Sequence, residues 1–400
     1  MTRPAPRDPG PGGFPVREFL LLLSANFLGQ ISVGAVVLLP AFLAALGTDR
    51  RDIGVLIGLG QGGGAIVGLI AGVASDRHGR KPVVVAGSLL SACGLALSAV
   101  LEHAGWLALA QQLLVSAGAA CILNGYYAWA TDIIPAARRT EGLCYFSASS
   151  LLPLALGYLP FELGHSGLAL RWFFVAAAGL IAASALLVLV ALRERRCPEH
   201  GEDLSWRDLR AILGSRRLRS LWLLTFGFGG ALELFAAFAT LTLSAQVRGN
   251  PGVFWLLYSV TAVVLRLAGA RVPGRLGEHR TILLAWISAG LGAAAIALAV
   301  SPAWAALAGV FAGIAHGYGY PALVTLLVSR VPRHLRGTGM AALDALWFVV
   351  ALVLAPTMGA LADRTGRDAI IFEVGSAGTL VIAAAWLVWE RRAPLQRSSG

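Results

Sequence analysis

Long apolar runs alternate along the chain with short polar connections that are mostly basic. A helix needs roughly 20 apolar residues to cross a hydrocarbon core. By that measure twelve runs qualify, near 18–45, 53–75, 82–101, 105–130, 143–163, 171–192, 219–245, 252–271, 281–300, 303–329, 338–361 and 371–389. The first, from Phe19 to about Leu46, outruns a signal-peptide core and is read as a spanning helix. The pattern predicts an all-α membrane protein with twelve transmembrane helices. Outside them, residues 1–16 are rich in Pro and Gly and predict a disordered tail, and 391–400 form a second short tail. A basic linker at 193–218 contains SWRDLRAIL. There Ser205 and Asp208 suit a capping box, and Trp206, Leu209, Ile212 and Leu213 share a face. This predicts a helix lying on the membrane surface.

Composition narrows the picture. Charged residues are 13% of 400 and hydrophobic ones 57%, where soluble chains average about 25% charged. The net charge of +11 would suit a nucleic-acid partner, but its sources lie in short connections and form no stripe able to follow phosphates. The same charges set an orientation. With the N-terminus inside, the inner segments hold 25 basic residues and the outer loops six, with Arg266 inside a helix. Short loops rich in Lys and Arg stay cytoplasmic, so both termini are expected inside. Cys93, Cys121, Cys144 and Cys197 show no metal or redox spacing, and no disulfide, metal or cofactor is expected.

Two connections repeat. ARVPGRLGEHR (270–280) copies the charged turn GVASDRHGRK (72–81), with Arg275 and Gly277 answering Arg77 and Gly79 at an offset of 198, although Gly274 replaces Asp76. Independently, RVPRHLRGTG (330–339) matches IIPAARRTEG (133–142) at 197. Nearly equal offsets mean a duplicated six-helix unit. The predicted domains are therefore bundles at 17–192 and 219–390, joined by the linker.

The turn at 72–81, G-x-x-x-D-R-x-G-R-K, resembles the signature between helices 2 and 3 of the major facilitator superfamily. The resemblance implies two pseudo-symmetric six-helix bundles, alternating access, a location in the bacterial inner membrane and a monomer. It also implies gating roles for Gly72, Asp76, Arg77, Gly79, Arg80 and Lys81, with Arg80 and the acid ending helix 4, Asp132, forming a charge relay. Gly60, Gly64, Gly68 and Gly72 make a stripe that lets two helices approach closely. It is either ordinary packing or, as the resemblance favours, a sliding face against helix 11, whose start Asp76 would cap. Two departures concern proton antiport. Gln112 stands where drug antiporters of the family carry an arginine, and LLPLALGYLP (151–160) replaces their G-P-x-x-G-G. The stretch HGYGYPALVTLL (316–327) is loosely similar to sugar-efflux and metallophore-export branches.

Polar side chains at membrane depth are costly and mark function. In this superfamily helices 1, 4, 7 and 10 line the cavity. On them Asn26, Gln30, Asn124 and Tyr320 are candidates for substrate contact, against the alternative of joining helices. Glu233 and His316 lie near mid-span of helices 7 and 10. They are the candidate proton-coupling pair, the alternative being a permanent structural pair. Arg266 and Asp344 lie equally deep on helices 8 and 11, with opposite sign, and are expected to pair structurally. No P-loop supports ATP-driven pumping, and no nucleophile has a catalytic frame. The expected function is secondary transport of a small neutral or cationic solute, by proton-coupled export. A proton-coupled importer, a uniporter and a non-transporting receptor are the alternatives. The expected partners are the solute, protons and lipid, without nucleic acid.

Overall fold

A computed structural model describes residues 16–135, 138–162, 167–194, 206–269, 272–332 and 335–392. Among these residues the regular structure is helical, with no strand. Eleven helices are long and apolar enough to cross a membrane. The first seven are α1 (Val16–Val36), α2 (Arg50–Ser75), α3 (Arg80–Ala99), α4 (Trp106–Ile133), α5 (Gly142–Glu162), α6 (Gly167–Ala191) and α7 (Arg216–Gln246). A shorter apolar helix of 15 residues, α8 (Val253–Leu267), follows where the eighth span is predicted, and residues 270 and 271 lie outside the described ones. The remaining four are α9 (Glu278–Ala297), α10 (Pro302–Arg330), α11 (Thr338–Thr365) and α12 (Ala369–Val388). Ile66, Ile70, Val190, Val353 and Val381 are more than 60% exposed, as lipid-facing side chains are.

The two glycines of the matching connections share a backbone conformation. Gly79 ends α2 and opens into α3 with φ +101°, and Gly277 precedes α9 with φ +80°. A side chain at such a φ costs about 1–2 kcal/mol, so glycine fits both joints. Their offset of 198 is that of the sequence repeat.

Three spans are less regular than their apolar runs predict. The run from 18 to 45 is helical over Val16–Gly29, Ile31–Val36 and Leu39–Ala45, with breaks at Gln30 and at 37–38. Pro40 supplies no N–H and its ring crowds the carbonyl four residues back, which accounts for the second break. Pro153 acts similarly in α5, where Leu152–Tyr158 is a 3₁₀ segment. In α7, Phe235–Ala239 is a π segment.

The linker helix forms over Trp206–Gly214, with Ile212 buried, and it packs on the start of α11. Ser205 and the side chains of Trp206, Asp208 and Leu209 lie outside the description, as do residues 1–15 and 393–400 of the predicted tails.

Aromatic side chains fill the second half. Phe254 and Trp255 meet edge to face at 4.8 Å, Tyr258 stacks on Trp255 at 5.6 Å, and Trp286 and Trp386 are almost fully buried.

Candidate functional site

The two ends of α2 are packed differently. At the Arg50 end, helix meets helix closely across the repeat. Arg50 gives Nε and Nη2 to the two carboxylate oxygens of Asp368, each at 3.0 Å. The Asp363 carboxylate accepts the backbone N–H groups of Arg50 at 3.2 Å and Arg51 at 2.8 Å. An anion at a helix N-terminus satisfies free donors and complements the helix dipole. Further in, a methyl group on Gly54 would overlap the carbonyl of Ala355, and one on Gly58 would lie 3.1 Å from Leu352 O.

The broken helices complete this closure. Thr240 Oγ1, just past the π segment, donates to the Val37 carbonyl in the break of α1 at 2.9 Å, and receives Trp255 Nε1 at 2.9 Å. Ser259 Oγ on α8 donates to Leu151 O, next to the 3₁₀ segment of α5, at 2.9 Å. Broken backbone at membrane depth survives only where its carbonyls find partners. Here hydroxyls from the other repeat supply them. At the mouth, Asn250 donates to Glu162 Oε1 at 2.8 Å, which also accepts from Tyr158 at 2.5 Å.

At the other end of α2 a methyl on Gly72 would meet nothing within 4 Å. Of the two readings of the glycine stripe, ordinary packing fits its other three members. Gly60, Gly64 and Gly68 face α4, at Gln112, Ser116 and Asn124, within the same repeat. Gly54 and Gly58 face α11 instead. Both sets are four apart on one helix, and spacing alone cannot say which of two faces meets which neighbour.

The turn at 76–81 is ordered by a network that includes the expected relay. Arg80 Nε reaches Asp132 at 3.3 Å and Nη1 donates to Ser75 Oγ at 3.1 Å. Lys81 Nζ donates to the last carbonyls of α6, Leu189 O at 3.0 Å and Leu192 O at 2.8 Å. The Glu194 carboxylate accepts the backbone N–H groups of Arg80 and Lys81. A base thus caps the end of α6 while an acid caps the start of α3. Sequence reasoning missed Glu194. Its only signal was an acid closing an apolar run with no assigned partner. Arg77 is exposed, and the side chain of Asp76 lies outside the description.

Of the substrate candidates, Asn26 is fully buried and donates to Ser149 Oγ at 2.8 Å and Ser150 Oγ at 2.9 Å, joining α1 to α5. Gln30 is buried beside it and donates to Asn26 Oδ1 at 3.5 Å. Asn124 donates to Gly68 O at 3.2 Å, joining α4 to α2. All three amides are engaged within the first repeat. Tyr320 is half-buried with its ring 6.5 Å from Trp347.

Two expected pairs are not formed. His316 Nδ1 bonds Tyr258 OH at 2.7 Å rather than Glu233. Glu233 is 2% exposed and its Oε1 has no hydrogen-bond partner among the described residues. Nor does Arg266 meet Asp344. It gives Nη2 to the backbone carbonyl of His316 at 3.4 Å, while its buried Nε has no acceptor. Equal depth on two helices says nothing about which way either side chain turns. The second repeat thus holds Glu233, Arg266 and Asp344 with no ion pair among the described residues.

Eleven helices able to cross a membrane, with ionisable groups inside the bundle that have no partner among the described residues, are the frame of a membrane transporter. The family model of the Major Facilitator Superfamily matches residues 19–356, and the chain belongs to that family. It is 29% identical over 375 residues to a chloramphenicol resistance protein of Pseudomonas aeruginosa, covering 85% of this chain and 83% of that one. It is 23% identical over 282 residues to multidrug resistance protein 2 of Bacillus subtilis, covering 68% and 70%. A peptide transporter of the POT family, solved with sulfate, superposes with TM-score 0.79 at 15% identity, covering 96% of each chain. This last likeness concerns the fold alone.

Proposed function

We propose that this protein is a secondary transporter in which two six-helix bundles, spanning 17–192 and 219–390, rock about a central site, and that it exports a small, partly apolar solute in exchange for protons. The observation that carries the reading is the unequal packing of α2, tight at Gly54 and open at Gly72. With both termini cytoplasmic, as the basic loops argue, the closed Arg50 end is the outer one. The conformation is then inward-open. Export is supported by the two resistance proteins among the relatives.

Glu233 is the proposed proton carrier. An unpaired carboxylate at mid-membrane costs about 2.5–3.5 kcal/mol on insertion scales, so this group is driven to hold a proton, a solute or water. It lies two residues before the π segment, a feature frequent at functional sites because it re-aims side chains within a helix. His316 is held by Tyr258 rather than by Glu233. The solute is net neutral or cationic, because the described side chains of α1, α4, α7 and α10 place no guanidinium near mid-span.

Flux into proteoliposomes tests this. Chloramphenicol and a lipophilic cation, each followed with and without an imposed pH gradient, should accumulate only with the gradient. Binding without flux would instead identify a receptor, and gradient-independent equilibration a uniporter. No flux of any solute, from protein shown to be folded and inserted, would remove the transporter reading.

A further inference from the structure

The unpaired charges of the second repeat stand in a definite order. Arg266 on α8 holds one guanidinium nitrogen on His316 O and leaves Nε buried without an acceptor. His316 cannot turn to help it, since its Nδ1 is taken by Tyr258. Asp344 on α11 is half-buried and has neither hydrogen bond nor ion pair among the described residues. Tyr320 follows His316, whose carbonyl Arg266 holds, by one turn of α10, so the two side chains share a face. The Tyr320 ring meets Trp347 edge to face, and Trp347 in turn meets Phe228 at 5.6 Å. Asp344 and Trp347 are three residues apart on one helix, so they share a face.

Neither charge has a counter-charge among the described residues, and the two, of opposite sign, are linked through the contact of Tyr320 with Trp347. Had they served the fold, meeting each other would have offset part of the cost of burying each. Held apart, each is free to take one end of a solute that carries the complementary charge. A guanidinium recognises planar carboxylates through paired N–H donors. A carboxylate beside an indole favours an ammonium, which the ring face also attracts.

We propose that Arg266, Tyr320, Trp347 and Asp344 form a dipolar binding site for a net-neutral aromatic zwitterion, its carboxylate on Arg266, its ring against Tyr320 and Trp347, and its ammonium on Asp344. This rests on the transporter reading and sharpens its solute class.

The test uses purified full-length protein and matched quartets on phenyl, indole and naphthyl scaffolds. Each quartet contains the amino acid, its methyl ester (cation only), its N-acetyl derivative (anion only) and the N-acetyl methyl ester (neutral). Binding is read by thermal shift and by competition. On at least one scaffold the zwitterion should bind at least tenfold more tightly than its three congeners. Arg266→Gln should abolish the preference for acid over ester while keeping that for amine over N-acetyl. Asp344→Asn should do the reverse, and Arg266→Lys should restore part of the acid preference. The wild-type ranking needs no variant to fold. Preference for a singly charged or neutral congener, no discrimination, or no binding on any scaffold overturns the proposal. If chloramphenicol or the lipophilic cation is still pumped in those cases, the transporter reading survives and only the dipolar site falls.

Discussion

Adding one methyl group at Gly54 should push the carrier out of the conformation described here. The new Cβ would overlap Ala355 O and lie 3.0 Å from Pro356 Cα, both backbone atoms of α11 that cannot rotate away. Overpacking of that kind costs about 1–3 kcal/mol. Alanine is also the better helix former by about 1 kcal/mol, but that gain is shared by every conformation and leaves the balance untouched. The net effect is a shift of about 5- to 150-fold away from closure at the Arg50 end. Gly72→Ala is the internal control, since its methyl meets nothing within 4 Å in this state. Spin labels on Asp52→Cys and Arg364→Cys, two exposed positions flanking the closed end, would report the separation by pulsed dipolar spectroscopy. The four native cysteines would first be replaced by serine. Gly54→Ala should populate a longer distance, while Gly72→Ala should not. If both variants fold and give the wild-type distribution, or if Gly72→Ala lengthens it equally, the assignment of the tight α2–α11 face is wrong.

Four further expectations follow from individual contacts. Thr240→Val strips partners from Val37 O and Trp255 Nε1, costing the closed end about 1–3 kcal/mol. Labelling of Thr242→Cys, fully buried in this conformation, by an impermeant maleimide from outside should accelerate, and Thr240→Ser should keep the wild-type rate. Glu233→Gln fixes the uncharged form of a buried carboxyl, so it should abolish pH-driven flux while leaving solute exchange at equilibrium; full pH-driven transport would make Glu233 structural. Glu194→Gln weakens the cap on α3 by about 0.5–2 kcal/mol in either conformation, lowering the unfolding temperature without changing the spin-label distances. Asn26→Ala leaves Ser149 and Ser150 without their shared donor and should cost stability rather than solute affinity, read by comparing thermal unfolding with the binding isotherm.

The apolar runs by themselves determined the class of fold, because a bilayer accepts only segments that satisfy their own backbone, and helices of about 20 residues are the simplest of these. The two matching turns were legible for a related reason. Such tight turns need glycine at fixed places, and Gly79 and Gly277 both take a positive φ although the charges around them differ. The Arg80–Asp132 relay was legible through the family signature, which records a local geometry. What the sequence left open was direction around a helix. In lipid an apolar helix has no wet face to orient it, so hydropathy does not separate the side toward α4 from the side toward α11, and the stripe at Gly60, Gly64 and Gly68 left packing and sliding both open. The same gap left Arg266 and Asp344 an expected pair, and Glu233 and His316 another. Those four side chains were placed by the packing of α7, α8, α10 and α11. Only the tertiary structure decided that the opposite charges stay apart, since a side chain's partner depends on helix rotation, which many weak contacts set together and no single residue type encodes.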